Sequence, residues 1–254
     1  MGGRQVHYAE AGAGRAAILI HQAPASGAMW DALMHPLAAL GHRCVAFDLP
    51  GYGMSDALPA SPRLEDYADA IDAAAEALGL AEYDLVGHHT GASVALWMAT
   101  GRHSARIGRA VFYGLPFLPA ADAARLANEP PPAYDAEGAE VTNWWRRCAP
   151  FLPATAHGTR LARYTADMLA PGPARAAAHH AVGRGDHLAR LGALALPVLA
   201  VQGTRDVLYE ATRAAAELSH SIEFRDFGDA GIFVADEVPD EFAALCHTYF
   251  CPAS

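Results

Sequence analysis

Apolar residues in this chain come in short runs separated by polar and turn-forming residues, at 16–20, 43–48, 83–87, 108–113, 197–203 and 221–227. Each run is of strand length and rich in β-branched or aromatic residues, which predicts six strands. Between most of them lie stretches long enough for a helix. Over 65–79, Tyr67, Ile71, Ala75 and Leu78 recur at helical spacing and form one apolar face. A second such helix is predicted over 240–250. Strands alternating with helices imply an α/β fold, a mostly parallel sheet flanked by helices on both faces.

The alternation fails from 116 to 190, where helical pieces are broken by prolines at 130–132 and by Pro150, Pro153, Pro171 and Pro173. The pattern predicts a helical cap inserted into a core made of 1–115 and 191–254. Trp144, Trp145, Phe151 and Tyr164 are expected on the apolar faces of this cap. Ligands of open parallel sheets bind beyond the carboxyl ends of the strands, so a cap inserted there roofs the site.

With 52% hydrophobic residues among 254, the chain has enough apolar material to bury one large core. Its formal charge of -10 repels nucleic acid and anionic membrane surfaces, and neither is expected as a partner. No apolar run approaches a membrane span, and the first residues lack the pattern of a signal peptide, so a cytoplasmic location is expected. Cys44, Cys148, Cys246 and Cys251 have no CxxC spacing, which fits reduced thiols. No dinucleotide fingerprint or phosphate loop occurs, and no cofactor is expected.

The chemistry concentrates after the third run. A strand at 83–87 leads into His88-His89-Thr90-Gly91 and a helical stretch, with Gly87 and Gly91 flanking three residues. Small residues at both ends permit the sharp strand-to-helix turn of a nucleophile elbow. His21-Gln22-Ala23-Pro24 follows the first run, and Asp48-Leu49-Pro50-Gly51-Tyr52-Gly53-Met54-Ser55-Asp56 the second. Gly203-Thr204-Arg205-Asp206 and Gly231-Ile232-Phe233 follow the last two. In this order and over nearly its whole length, the chain resembles the capped α/β-hydrolases. The resemblance equates these segments with the oxyanion loop, the DxPGxGxSD loop, the turn bearing the catalytic acid and the turn bearing the catalytic histidine.

Two catalytic positions depart from that family. The middle of the elbow, where a serine, aspartate or cysteine nucleophile stands, is His89, and the position of the base is Ile232. Neither half of the Ser–His proton relay is present. His247, the one histidine further on, falls inside the final helix. Asp206 remains as the acid, and three roles are open to it: pairing with His89, acting as a base desolvated by Ile232, or holding its own loop. The resemblance implies an oxyanion hole of backbone N–H groups from Thr90 and Ala23, which side-chain replacement does not remove. Gln22 replaces a glycine there and either narrows the pocket or adds an amide donor. Trp144 and Trp145 are expected as cap packing with one ring reaching the pocket.

An imidazole displayed on a strained turn suits proton transfer near neutral pH. The leading expectation is an enzyme of lyase, isomerase or cyclase type, using His89 and Asp206 for acid/base chemistry on a small carbonyl-bearing, largely apolar substrate. A hydrolase of an ester or lactone with His89 as base or nucleophile is the alternative, and a non-catalytic ligand-binding protein a third. His88 and His21 are expected to be structural, while Asp186 and His187 are placed at the cap's end or on the surface. The histidine pairs at 88–89 and 179–180 are adjacent rather than four apart. A metal held by His21, His89 and Asp206 is geometrically conceivable but not expected.

Overall fold

All six apolar runs form strands, and a seventh, unforeseen strand lies ahead of them. The structure, a computed structural model, describes residues 3–102, 104–152 and 157–252. The strands are β1 (Tyr8–Ala11), β2 (Arg15–Ile20), β3 (His42–Phe47), β4 (Tyr83–His88), β5 (Ile107–Tyr113), β6 (Val198–Gln202) and β7 (Ile222–Asp226). They form one sheet in the order β1-β3-β2-β4-β5-β6-β7. Every neighbouring pair is parallel except β1 and β3. β1 is half-exposed and only four residues long, so it has no apolar run by which a pattern search could find it.

Alternation along the strands divides the core into two layers. Ile18, Ile20, Val45, Phe47, Leu85 and Phe112 face one side, packed against α2 (Leu64–Ala77) and α3 (Thr90–Ala99). Leu19, Cys44, Val86, Val111, Tyr113 and Val201 face the other, against α1 (Asp31–Ala39) and the final helix. Both faces are covered, which is why the central strands read as continuous apolar runs. Each fully buried Ile or Leu contributes roughly 1.5–3 kcal/mol. β4 and α3 have no exposed residue, which places the turn between them at the centre of the molecule.

Between β5 and β6 lie α4 (Ala120–Ala127), α5 (Ala139–Cys148), α6 (Ala162–Leu169), α7 (Ala177–Arg184) and α8 (His187–Ala193). The described residues of this segment contain no strand; Pro153 lies outside them. α4 packs against α7, and α8 continues past residue 190. Trp144 and Tyr164 are buried here, but Trp145 is 40% exposed, contrary to expectation. On α5 the inward stripe passes through Trp144 and Cys148, four apart, and Trp145 stands about 100° round the helix from it. The remaining helices are α9 (Tyr209–Glu217), α10 (Val234–Glu237) and α11 (Pro239–Phe250). Among the described residues no helix is long and apolar enough to cross a membrane.

Hydrogen bonds tie the inserted helices to the loops at the carboxyl edge of the sheet. Tyr164 donates its hydroxyl to Asp236, which also pairs with Arg160 and Arg163. Ser26 Oγ donates to Asp167 at 2.7 Å, and Tyr52 Oη donates to the Arg175 carbonyl at 2.9 Å. His179 bridges the Glu129 carboxylate, at 2.6 Å, to the carbonyl of Ala23, at 3.1 Å.

Candidate functional site

His89 stands at the tip of the turn between β4 and α3, with φ 50° and ψ −112°. This left-handed conformation costs a non-glycine residue on the order of 1–3 kcal/mol and persists only where the surroundings enforce it. They do so here through small neighbours. A Cβ on Gly91 would lie 2.0 Å from the Ile20 carbonyl oxygen, and one on Gly87 2.6 Å from that of Gly91. The His89 amide donates to the Tyr113 carbonyl at 2.8 Å, fixing the turn to β5.

From this turn the imidazole reaches across to the loop after β6. His89 Nε2 lies 2.8 Å from Oδ2 of Asp206, whose side chain is fully buried. Oδ1 of Asp206 accepts the Leu208 amide at 2.8 Å. Burial alone would raise this carboxyl's pKa. The charge and hydrogen bond of His89, the Leu208 amide and the charge of His88 outweigh it and hold Asp206 below the usual carboxylate value. An ionised carboxylate only accepts hydrogen bonds, so Nε2 must carry a proton. In the neutral ring the lone pair then resides on Nδ1. Among the described residues Nδ1 has no hydrogen-bond partner, and it is not sealed from solvent. The site is thus a dyad with its free basic nitrogen on the elbow residue itself.

His88 is sealed in the core, stacked between His89 (centroids 4.5 Å, rings at 13°) and Tyr113 (5.2 Å, 12°). Burial, then the neighbouring His89, hold it far below the ordinary imidazole value. Neither of its nitrogens makes a hydrogen bond among the described residues. The Ile232 backbone is near enough to favour a proton on the ring, but outside bonding geometry. Ile232 itself packs, half-buried, at the turn after β7. Tyr113 Oη donates to the Gly231 carbonyl at 2.8 Å and accepts the Gly203 amide at 3.3 Å, joining this turn to the loop that carries Asp206.

Gln22 and Ala23 follow β2, the strand paired with β4, so they flank the elbow. The N–H groups of Ala23 and Thr90 donate no hydrogen bond among the described residues. Gln22 Nε2 is buried and likewise without a partner. His21 has a different task from the metal role considered for it. Its Nδ1 donates to the Gln22 carbonyl and its Nε2 accepts the Leu49 amide, each at 2.8 Å, so both nitrogens close loops. Trp144 is buried in the inserted helices, with the guanidinium groups of Arg147 and Arg175 4.6 and 5.4 Å from its ring centre. Asp186 caps α8 through the Ala189 amide, and His187 bonds Ser93 Oγ at 2.9 Å in the core. A surface groove lined by Tyr8, Phe47, Ala70 and Leu78 contains none of the candidate residues.

Donor atoms of His88, His89 and Asp206 do lie within 4.8 Å of one another. They make a poor cage, because ring lone pairs lie in the ring plane and two rings only 13° from parallel direct them side by side. Gly114, like Tyr113, is a site residue that sequence reasoning missed. Directly after β5, at φ +73°, it leaves the space that the ring occupies: a Cβ there would be 2.2 Å from His89 Cδ2. Its signal was a glycine closing a buried strand.

A family model described as alpha/beta hydrolase fold matches residues 17–224. Epoxide hydrolase 3 of Siraitia grosvenorii is 35% identical over 121 residues, 46% of this chain and 37% of that protein. A non-heme haloperoxidase of Rhodococcus erythropolis is 34% identical over 114 residues, 44% of this chain and 41% of that protein. The match therefore spans less than half the length of either curated relative. A solved hydrolase from Pseudomonas aeruginosa PA01 superposes with a TM-score of 0.81 at 20% identity, covering 99% of this chain and 96% of that one. Strand order, elbow and family match agree, and this chain belongs to the α/β-hydrolase fold family.

Proposed function

We propose that this chain is an enzyme that moves a proton on a small carbonyl-bearing, largely apolar molecule, without a covalent acyl intermediate. His89 Nδ1 is the base. Asp206 is a positioning residue that keeps the proton on Nε2. The helices of 116–190 form the lid, with Trp144 in its packing. The observation that carries this reading is the 2.8 Å contact between Nε2 and an acceptor-only carboxylate, which leaves a lone pair on a nitrogen open to a substrate. Abstraction of a proton next to the carbonyl sends the C–H electron pair into an enolate. The N–H groups of Ala23 and Thr90 meet the enolate oxygen, and Gln22 Nε2 is a third donor. The imidazolium then returns the proton to another atom, completing an isomerisation, or to a departing group, completing an elimination. No cofactor is required by these steps.

A second reading is favoured by the relatives, an epoxide hydrolase among them. Here the same Nδ1 activates water toward an ester or lactone, or attacks the acyl carbon to give an acyl-imidazole that water clears. One experiment separates the two. Small cyclic ketones and enol lactones are incubated with the protein in deuterium oxide, and exchange next to the carbonyl is followed by NMR, beside turnover of an activated ester. Exchange that is lost in His89→Gln supports proton transfer. Ester turnover lost in that variant, without exchange, supports hydrolysis. Ligand binding with neither activity would leave a non-catalytic binding protein.

A further inference from the structure

At the edge of the molecule that carries the amino ends of the parallel strands, a second set of donors comes together. His247 lies in the last turn of α11 and Cys251 just beyond its end, four residues apart, the spacing that places two side chains on one helical face. His42 opens β3 directly opposite. His42 Nε2 and His247 Nδ1 are 3.0 Å apart, and Cys251 Sγ lies within 4.8 Å of both nitrogens. Cys251 is a free, exposed thiol, His247 is half-buried, and His42 is 1% exposed.

Two features distinguish this set from the donors around His89. The rings of His42 and His247 stand at 81°, nearly perpendicular, so their in-plane lone pairs lie in different planes rather than side by side. Among the described residues no carboxylate bonds either nitrogen, and the two bond each other. His42 Nδ1, on the far side of its ring, is buried and makes no hydrogen bond. A proton on Nδ1 is the tautomer that leaves the Nε2 lone pair facing His247. A tetrahedral ion bound at about 2.0–2.1 Å to nitrogen and about 2.3 Å to sulfur needs its nitrogens only a few tenths of an ångström further apart than they are.

We infer that His42, His247 and Cys251 form a binding site for a borderline-soft divalent ion, zinc foremost, with water as the fourth ligand on the exposed side. Two imidazoles and a thiolate suit that class of ion better than calcium or magnesium, which take oxygen ligands. The ion fastens the end of α11 to the start of β3 and takes no part in chemistry at His89. On binding, the proton shared between the rings moves to the outer nitrogen of the ring that carried it. The Cys251 thiol gives its proton to solvent, so one proton is released per ion.

The test is calorimetric titration of the full chain with zinc chloride under reducing conditions, in buffers of different ionisation heat. One ion per chain and close to one proton released per ion are expected, with a rise in melting temperature. Cys251→Ser weakens binding by at least about tenfold, and His247→Ala abolishes it. Cys251 is exposed, so the metal-free melt of Cys251→Ser should match wild type, whereas His247→Ala also loses the bond to His42, and its response to zinc is read against its own metal-free melt. Cobalt(II) in place of zinc gives a thiolate charge-transfer band in the near ultraviolet that is absent in Cys251→Ser. No saturable binding in the micromolar range overturns the assignment. So does binding that survives in His247→Ala, since the ion then sits elsewhere.

Discussion

Replacing Gly114 by alanine tests how His89 is held. At φ +73° the substitution carries the left-handed backbone penalty of about 1–2 kcal/mol. The added methyl group would stand 2.2 Å from Cδ2 and 2.6 Å from Nε2 of His89, where carbon atoms ordinarily rest at about 3.5 Å or more. The ring must retreat by roughly 1.3 Å to restore an ordinary contact, and in doing so it loses its 2.8 Å bond to Asp206. Overpacking of this kind costs a further ~1–3 kcal/mol, and misplacing a reacting group by about 1 Å costs on the order of 100-fold in rate. Gly79→Ala is the matched control: its φ is +69°, with nothing within 4 Å of the added Cβ, so only the backbone penalty applies. Urea unfolding of both variants, deuterium exchange or ester turnover, and the imidazole NMR signals of His89 supply the readouts. Gly114→Ala should be the less stable of the two, lose about two orders of magnitude in rate and lose the hydrogen-bonded Nε2–H signal, while Gly79→Ala keeps wild-type rate. A Gly114→Ala protein within threefold of wild-type rate, or no less stable than Gly79→Ala, would defeat the claim that the cleft before Gly114 orients the ring.

Asp206→Asn should cost about 10²–10⁴ in rate, because an amide can turn its NH₂ toward Nε2 and move the ring proton to Nδ1; a rate within threefold of wild type removes Asp206 from the mechanism. Folding lowers the Asp206 pKa, so its stabilisation is present above the ordinary carboxyl range and is lost as pH falls through the folded value. The wild-type advantage over Asp206→Asn in urea unfolding should accordingly be larger at pH 7 than at about pH 3. His88 is held neutral by burial, so below about pH 6.5 the unfolded chain takes up a proton that the folded one refuses. Stability should fall between pH 7 and pH 5, and less steeply in His88→Phe, with part of the fall remaining from buried His21 and His187; equal slopes would reject this role for His88. Tyr164→Phe removes the hydroxyl that bonds Asp236 while Arg160 and Arg163 still pair with it, and should cost about 1 kcal/mol by chemical denaturation. No measurable cost would remove Tyr164 from the anchoring of the inserted helices.

Much of the fold is legible in the sequence because its central strands are buried on both faces and read as plain apolar runs. β1 is hidden for the opposite reason: its residues alternate between exposed and half-buried, and its partner lies more than thirty residues away. The elbow is legible through Gly87 and Gly91, whose need for close approach is local. The pairing of His89 with Asp206 is one of three roles that the sequence leaves open, since it joins residues 117 apart and depends on space made by a third segment at Gly114. The burial of Trp144 and the exposure of Trp145 turn on the rotation of one short helix, which neighbouring apolar letters do not reveal. His247 and Cys251 carry a readable four-residue spacing, but a search confined to histidine pairs passes over it, and His42 is 205 positions from His247.

The turn that presents residue 89 is shaped by what its neighbours lack. Gly87 and Gly91 press against backbone atoms of their own turn and of β2, and that fit is indifferent to the side chain at the tip. Among the described glycines, Gly114 is the one whose missing Cβ leaves room for the imidazole of His89. The turn thus works as a socket whose framework does not depend on the side chain at its tip, while the wall at Gly114 follows the imidazole that faces it. Evolution of a new chemistry in such a socket needs few steps, because the tip and the wall facing it can change without renegotiating the core.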